Sequence, residues 1–115
     1  MSDDCLFCRI VRGEIPADVV RETELTLAFR DIAPAAPTHV LVITKEHHAD
    51  IAALTAADQA LASALLAEAA AVADQEGVAA TGWRLAFNVG RDSGQLVPHV
   101  HAHVMGGRAL GHPAG

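Results

Sequence analysis

Apolar and polar positions recur along the chain with two different periods, and each switch between them marks a boundary between elements. The first segment, Cys5-Leu6-Phe7-Cys8-Arg9-Ile10-Val11-Arg12-Gly13, reads as one or two helical turns stopped at Gly13, and Glu14-Ile15-Pro16-Ala17 follows as a bend. Val19-Val20-Arg21-Glu22 and Leu25-Thr26-Leu27-Ala28-Phe29-Arg30 predict two strands joined by a tight turn, with the period-2 alternation clearest in the second. After the Pro-punctuated loop Ala33-Pro34-Ala35-Ala36-Pro37, the β-branched run His39-Val40-Leu41-Val42-Ile43-Thr44 predicts a buried central strand. A long helix is expected from about Thr55 to Glu76. Thr55 would be its N-cap, Asp58 would complete a variant capping box, Leu54 would staple onto it, and Gly77 would stop it. Leu61, Leu65, Leu66, Ala69 and Val72 fall at helical spacing on one face. Trp83-Arg84-Leu85-Ala86-Phe87-Asn88-Val89 reads as a further strand, Gly90-Arg91-Asp92-Ser93-Gly94-Gln95 as a glycine-bracketed loop, and Val100 to Val104 as the last strand, ended by Gly106-Gly107. Five strands around one long helix and a short N-terminal helix make an α+β domain with a mostly antiparallel sheet. The residues from Ala109 to Gly115 read as a loose tail.

Candidate chemistry concentrates in Pro98-His99-Val100-His101-Ala102-His103-Val104. Alternate side chains of a strand share a face, so this spacing puts His99, His101 and His103 on one side and Val100, Ala102 and Val104 on the helix side. Three imidazoles in a row can bind a transition metal, or they can act on phosphorus as nucleophile, acid and hydrogen-bond donors. A histidine whose Nδ1–H is held by a carbonyl presents Nε2 as a nucleophile. The spacing alone does not separate the two chemistries. The preceding residues favour phosphorus: glycines in 90–95 free the backbone to turn N–H groups toward an anion, and Asn88 offers a side-chain amide.

Composition narrows the setting. With 115 residues and 12.0 kDa, the chain is expected to form one domain over 1–115. There is no Tyr, and only 3% of residues are aromatic, so small aliphatic side chains must fill the core. No apolar run approaches the roughly 18 residues that a membrane span needs, and the acidic Met1-Ser2-Asp3-Asp4 is unlike a secretory signal. No membrane association and a cytoplasmic location are therefore expected. There a Cys-x-x-Cys pair such as Cys5 and Cys8 is more plausibly a metal clip than a disulfide, with redox thiols its main rival. A net charge of −6 argues against broad binding to nucleic acid but leaves a small phosphorylated ligand open.

The sequence resembles the histidine triad (HIT) family, and specifically its small nucleotide-binding, phosphoramidate-hydrolysing branch. His99 to Met105 match the pattern His-φ-His-φ-His-φ-φ, where φ is apolar, and blocks in family order extend over almost the whole chain. Those blocks are Cys5 to Val11, Glu14-Ile15-Pro16-Ala17, Leu27 to Ile32 and Ala36-Pro37-Thr38-His39. The resemblance implies that His101 is the nucleophile on the α-phosphorus, forming a nucleotidyl-histidine that water then cleaves. It implies further that His103 binds the phosphate and helps the departing group, with His39 as a supporting member. Asn88 and the amides of Gly94, Gln95 and Leu96 would hold phosphate oxygens, and Asp31 would accept from the ribose hydroxyls. Phe7, Ile10, Ile15, Phe29 and Ile32 would form a slot for the purine, although ordinary core packing is an equal reading of these five. Cys5, Cys8, His47 and His99 would form a Cys₂His₂ set for a structural zinc, with His48 as a rival for the third place.

Two departures from the family stand out. Leu96 lies where relatives usually carry a hydroxyl residue, and His112 lies where close relatives have a Trp. The function so implied is hydrolysis of purine nucleoside phosphoramidates by a homodimer. Alternatives are dinucleoside polyphosphate hydrolysis or nucleotidyl transfer, a hydrolase with His99, His101 and His103 around a catalytic zinc, and a nucleotide-binding regulatory module.

Overall fold

Five antiparallel strands in the order β1-β2-β3-β5-β4 form one sheet in the computed structural model, which describes residues 4–111. The strands are β1 (Val19–Glu22), β2 (Thr26–Arg30), β3 (Thr38–Thr44), β4 (Trp83–Ala86) and β5 (His101–Gly106). The helices are α1 (Leu6–Val11), α2 (Ile51–Ala57) and α3 (Gln59–Gln75), and a 3₁₀ turn spans Arg91–Ser93. Because strand side chains alternate, the sheet sorts its residues into two apolar layers. Val40, Val42, Ala102 and Val104 pack with Leu54, Leu61, Leu65, Ala69 and Val72 of α2 and α3. Leu27, Phe29, Leu41 and Ile43 pack on the other side with Phe7, Cys5 and Cys8 around α1. β3 lies at the centre of the sheet and is buried along its whole length, as its near-continuous apolar run predicts.

The α+β class, the five-stranded antiparallel sheet and the N-terminal helix agree with expectation. The long helix does not. Asp58 has extended backbone (φ −156°, ψ 90°) and breaks the run into two helices. Its carboxylate accepts from the Leu61 amide at 3.0 Å and caps α3, while Asp50 caps α2 by accepting from the Ala53 amide at 2.8 Å. Thr55 is therefore no cap. It sits inside α2, where its hydroxyl donates to the Ala52 carbonyl. Leu54 is not an outside staple but a fully buried core residue of α2. Asp competes with helix by bonding nearby amides, so the carboxylate that seemed to complete one cap starts its own helix. Leu66 is also reassigned: it is 45% exposed, while Leu61, Leu65, Ala69 and Val72 are buried. At the other end the Val78 amide bonds the Ala73 carbonyl and the Gly77 amide the Asp74 carbonyl, with Gly77 at φ 77°. That paired pattern terminates a helix through a left-handed residue, which a side chain would oppose. β4 stops at Ala86, short of the predicted Val89, and β5 runs from His101 to Gly106 instead of from Val100 to Val104.

Two ion pairs fasten α3 across the sheet edge: Arg21 Nε to Glu68 Oε2 at 2.6 Å, and Arg30 Nη1 to Glu76 Oε1 at 2.7 Å. No helix among the described residues is long and apolar enough to cross a membrane. The split helix makes a measurable difference. Asp58→Ala should lower stability to urea by about 1 kcal/mol. Thr55→Ala should cost less than about 0.5 kcal/mol, as for an ordinary surface change. Equal losses would mean that Thr55 shares the capping.

Candidate active site

The pairing of β5 with β3 sets Ile43 opposite His101 and Leu41 opposite His103, which puts both imidazoles on the sheet face that carries α1. They line a cleft of about 840 Å³. His99 departs from the expected row. It precedes β5, its ring is fully buried and does not line the cleft, and the backbone around it is held by loops: the Val100 amide donates to the His48 carbonyl at 2.7 Å. The triad therefore divides between two places, and its three rings do not converge on one point.

Phe7, Ile10, Ile15, Phe29, Asp31, Ile32, Asn88, Gly94, Gln95 and Leu96 all line the same cleft. Slot and core prove compatible readings for two of them. Phe7 and Phe29 are buried, meet edge-to-face at 5.5 Å, and still form cleft wall. Ile10 and Ile15 are half-buried, whereas Ile32 and Leu96 stand at the cleft almost fully exposed. Leu41, Arg30 and Val97 also line it and were not anticipated. Leu41 shares its strand face with His39, so period-2 reading could have found it; Val97 lies in a loop that has no such signal.

Hydrogen bonds settle the proton positions. His101 Nδ1 donates to the His99 carbonyl at 2.7 Å, which leaves Nε2 with its lone pair. A second chain starts at the Ala35 amide, which donates to His39 Nδ1 at 3.0 Å. A backbone N–H can only donate, so neutral His39 carries its proton on Nε2, and from there it donates to His103 Nδ1 at 2.9 Å. His103 then keeps its own proton on Nε2. Asn88 Nδ2 lies 3.5 Å from that nitrogen, so two N–H groups stand side by side with no acceptor between them. An anion oxygen is the complement of such a pair. Asp31 supports the chain, with Oδ2 3.5 Å from His39 Nε2 and Oδ1 accepting from the Ala33 amide. Burial, with His101 and His39 adjacent, pushes His103 down to about 4. It is therefore neutral at physiological pH and acts as a hydrogen-bond donor without a fixed charge.

The glycine-bracketed loop spends most of its own donors. The Gly94 amide bonds the Arg91 carbonyl at 3.0 Å and the Gln95 amide the Gly90 carbonyl at 3.3 Å. The Gln95 side chain accepts from the Gly90 amide and donates to the Ala49 and Val97 carbonyls, which staples the loop to its surroundings. Of the three amides expected to face an anion, that of Leu96 is the one with no partner among the described residues.

Beyond Phe7 lies a second cluster. His99 Nδ1 is 3.3 Å from Cys5 Sγ, 3.5 Å from Cys8 Sγ and 3.2 Å from His47 Nδ1, and Cys8 Sγ is 3.3 Å from His47 Nδ1. A tetrahedral zinc with ordinary bond lengths separates two nitrogens by about 3.3 Å and a nitrogen from a sulfur by about 3.6 Å, so the donor set fits. His99 Nε2 donates to the Thr44 carbonyl at 2.7 Å, which turns the Nδ1 lone pair toward the thiols. His48 is not part of the cluster: its Nε2 faces Glu46 Oε1 at 2.7 Å. Burial, with Cys5 alongside, pushes the Cys8 thiol up to about 11, so an enclosed cation is what would favour thiolate here. Burial also lowers His99 to about 4. His112 lies outside the described residues.

Fold and site together define a small α+β protein with an imidazole-lined cleft beside a four-ligand Cys/His cluster. A HIT domain matches residues 12–110, and the chain belongs to that family. A purine nucleoside phosphoramidase of Escherichia coli K12 is 41% identical over 111 residues, covering 96% of this chain and 93% of that one. An uncharacterized HIT-like protein of Synechococcus elongatus is 50% identical over the full length of both. Among solved structures, a HIT family hydrolase from Legionella pneumophila superposes with a TM-score of 0.92 at 48% identity, covering 97% of this chain and all of that one. These relatives support hydrolase activity as the general class.

The low pKa of His103 ties the site to stability. Its neutral form favours the fold, so this contribution is complete above pH 6.5 and is lost as pH falls from 6.5 toward 4. His103→Gln should therefore lose less stability than the parent between pH 7 and pH 5 in urea titrations. Parallel losses would show that His103 is not held neutral.

Proposed function

We propose that the protein hydrolyses purine nucleoside phosphoramidates through a covalent nucleotidyl-histidine on His101. The observation that carries this reading is the 2.7 Å bond from His101 Nδ1 to the His99 carbonyl, which leaves a nucleophilic Nε2 on a ring lining the cleft. In the first step the Nε2 lone pair forms a bond to phosphorus while the bond from phosphorus to the leaving nitrogen breaks. The nitrogen departs as an amine, taking its proton from solvent, and the attacking water of the second step returns one proton to solvent. Water then adds to phosphorus, the bond to Nε2 breaks, and the lone pair returns to His101. The sum is one water added across the P–N bond.

His103 Nε2–H, Asn88 Nδ2 and the Leu96 amide are the donors for the phosphoryl oxygens, and they hold charge that grows in the transition state. Asp31 lines the cleft, where it would accept from ribose hydroxyls, and the apolar wall of Phe7, Ile10, Ile15 and Phe29 suits a purine ring, with exposed Ile32 at its rim. The name carried by the 41% identical relative supports a phosphoramidate as the substrate. The test is turnover of adenosine 5′-phosphoramidate, with quenched samples analysed for a nucleotidyl group on His101. His101→Asn should abolish turnover, a loss of at least about 10³-fold, and retain nucleotide binding. Turnover surviving in that variant would overturn the assignment. Turnover of dinucleoside polyphosphates alone would redirect the substrate class.

The cluster of Cys5, Cys8, His47 and His99 is assigned to a structural zinc. With four protein ligands no position stays open for water, and the ion would supply folding energy by tying α1 to the β3 end and to the approach to β5. Zinc analysis should find one equivalent per chain, and Cys8→Ser should lower both the metal content and the Tm. Full zinc content in Cys8→Ser would remove that residue from the ligand set. The same reading takes the active form as a homodimer. Among the described residues no strand pairs with the outer edge of β4, Leu85 is exposed there, and a second copy could continue the ladder.

A further inference from the structure

The chain of hydrogen bonds that sets the His103 proton begins at a loop, and a loop amide is a poor foundation unless something holds it. Ala35 belongs to the segment between β2 and β3 and is itself exposed, next to buried Ala36. Two features from the far end of the chain reach it. Arg108 Nη2 donates to the Ala35 carbonyl at 2.8 Å, and Nη1 of the same guanidinium donates to the Ala109 carbonyl at 2.9 Å. Directly before it, Gly107 adopts φ 96° and lies so close to Pro37 that an added Cβ would sit 2.9 Å from the Pro37 Cβ and 3.5 Å from the Thr38 nitrogen. A side chain at 107 would oppose the backbone conformation and push the loop away. The segment that leaves β5 thus grips residues 35–38 at two points: a guanidinium on the Ala35 carbonyl and a bare backbone against Pro37.

We propose that Arg108 is a positioning residue for the reaction at His101: by clasping the Ala35 carbonyl, it holds the Ala35 amide on His39 Nδ1 and so keeps the His103 proton on the nitrogen that faces the cleft. Ala35 N–H and C=O flank one Cα, so fixing the carbonyl limits how far the amide can swing. If the amide swings away, His39 Nδ1 loses its donor, the Nε2–H tautomer keeps only the longer 3.5 Å approach of Asp31 Oδ2, and the other tautomer gains population. In the alternative tautomer His39 Nε2 is an acceptor, His103 places its proton on Nδ1, and its Nε2 becomes a lone pair. A lone pair there repels a phosphoryl oxygen and competes for the Asn88 amide, which faces it at 3.5 Å. The nucleophile is untouched, because its own tautomer is set by the His99 carbonyl.

The inference rests on the catalytic reading of His101 and His103, and its test separates the two. Histidine tautomers are read from ¹⁵N-labelled protein by two-bond proton–nitrogen NMR correlations, without substrate. Turnover of adenosine 5′-phosphoramidate is measured on the same samples. In the parent, His39 and His103 should both be protonated on Nε2. In Arg108→Met, which keeps the aliphatic stem, both rings should show mixed tautomers while the His101 ring does not change. The kcat should fall about tenfold, a fraction of the roughly 10²- to 10³-fold loss on removing such a transition-state donor outright, with KM within roughly twofold. Arg108→Lys, which can still donate to the carbonyl, should recover most of the kcat. Gly107→Ala should move the tautomers as Arg108→Met does.

A parent with His39 protonated on Nδ1 would overturn the proposal, as would an Arg108→Met variant with parental tautomers or parental kcat. If no protein in the series turns over the phosphoramidate, the substrate reading fails. The tautomer spectra still decide whether Arg108 sets the His103 proton.

Discussion

The antiparallel register between β3 and β5 is the constraint on which the rest of the site depends. It places Ile43 against His101, Leu41 against His103 and His39 against Met105. Those residues share one face, so His39 and His103 meet on the diagonal with 2.9 Å between their nitrogens. A slip of one residue would send both β5 histidines to the helix side, where Val100, Ala102 and Val104 are now packed. That slip would bury two imidazoles in an apolar layer and expose three aliphatic side chains. The hydrophobic core therefore enforces the arrangement of the polar site.

A single residue, Val100, separates two imidazoles in different surroundings. The His99 ring turns into the Cys cluster, while its carbonyl accepts a hydrogen bond from His101 Nδ1. Phe7, carried on α1 between Cys5 and Cys8, packs edge-on against both rings, with centroids at 5.8 Å and 5.1 Å. The cluster and His101 thus share a wall and a backbone group. Whatever fixes α1 at the cluster also fixes the acceptor that decides which nitrogen of His101 is free.

The acidic balance of the chain fits this design. The guanidinium that lines the cleft, Arg30, is bound by Glu76 at 2.7 Å and approaches Asp18 at 3.8 Å. The other donors at the cleft are neutral: an imidazole N–H, an amide side chain and a backbone amide. Such donors are directional and short-ranged, so they recognise one oxygen at a defined place and leave long-range attraction of polyanions weak.

Much of this was legible in the residues themselves. Period-2 alternation located the strands, Gly13 and Gly77 located two helix stops, and Cys-x-x-Cys with alternating histidines pointed to the residues that the fold gathers into the cleft and the Cys/His cluster. Local backbone physics sets those features, because side-chain direction in a strand and the left-handed stop of a helix involve only near neighbours. The same reasoning misplaced what local choices leave open. Thr55 and Asp58 are both good caps, and which of them starts α3 depends on Leu54 finding its place in the core. His99 carries the right spacing to stand beside His101, yet the residues that claim it, Thr44, Cys5, Cys8 and His47, lie 52 to 94 positions away. The tautomers of His39 and His103 were likewise beyond the sequence, since they follow from one amide in a loop and one guanidinium past the last strand. Residue identity determined which chemistry was available. Which atom carries the proton was decided by contacts between distant segments, because a hydrogen bond depends on distances of tenths of an ångström that only the folded chain defines.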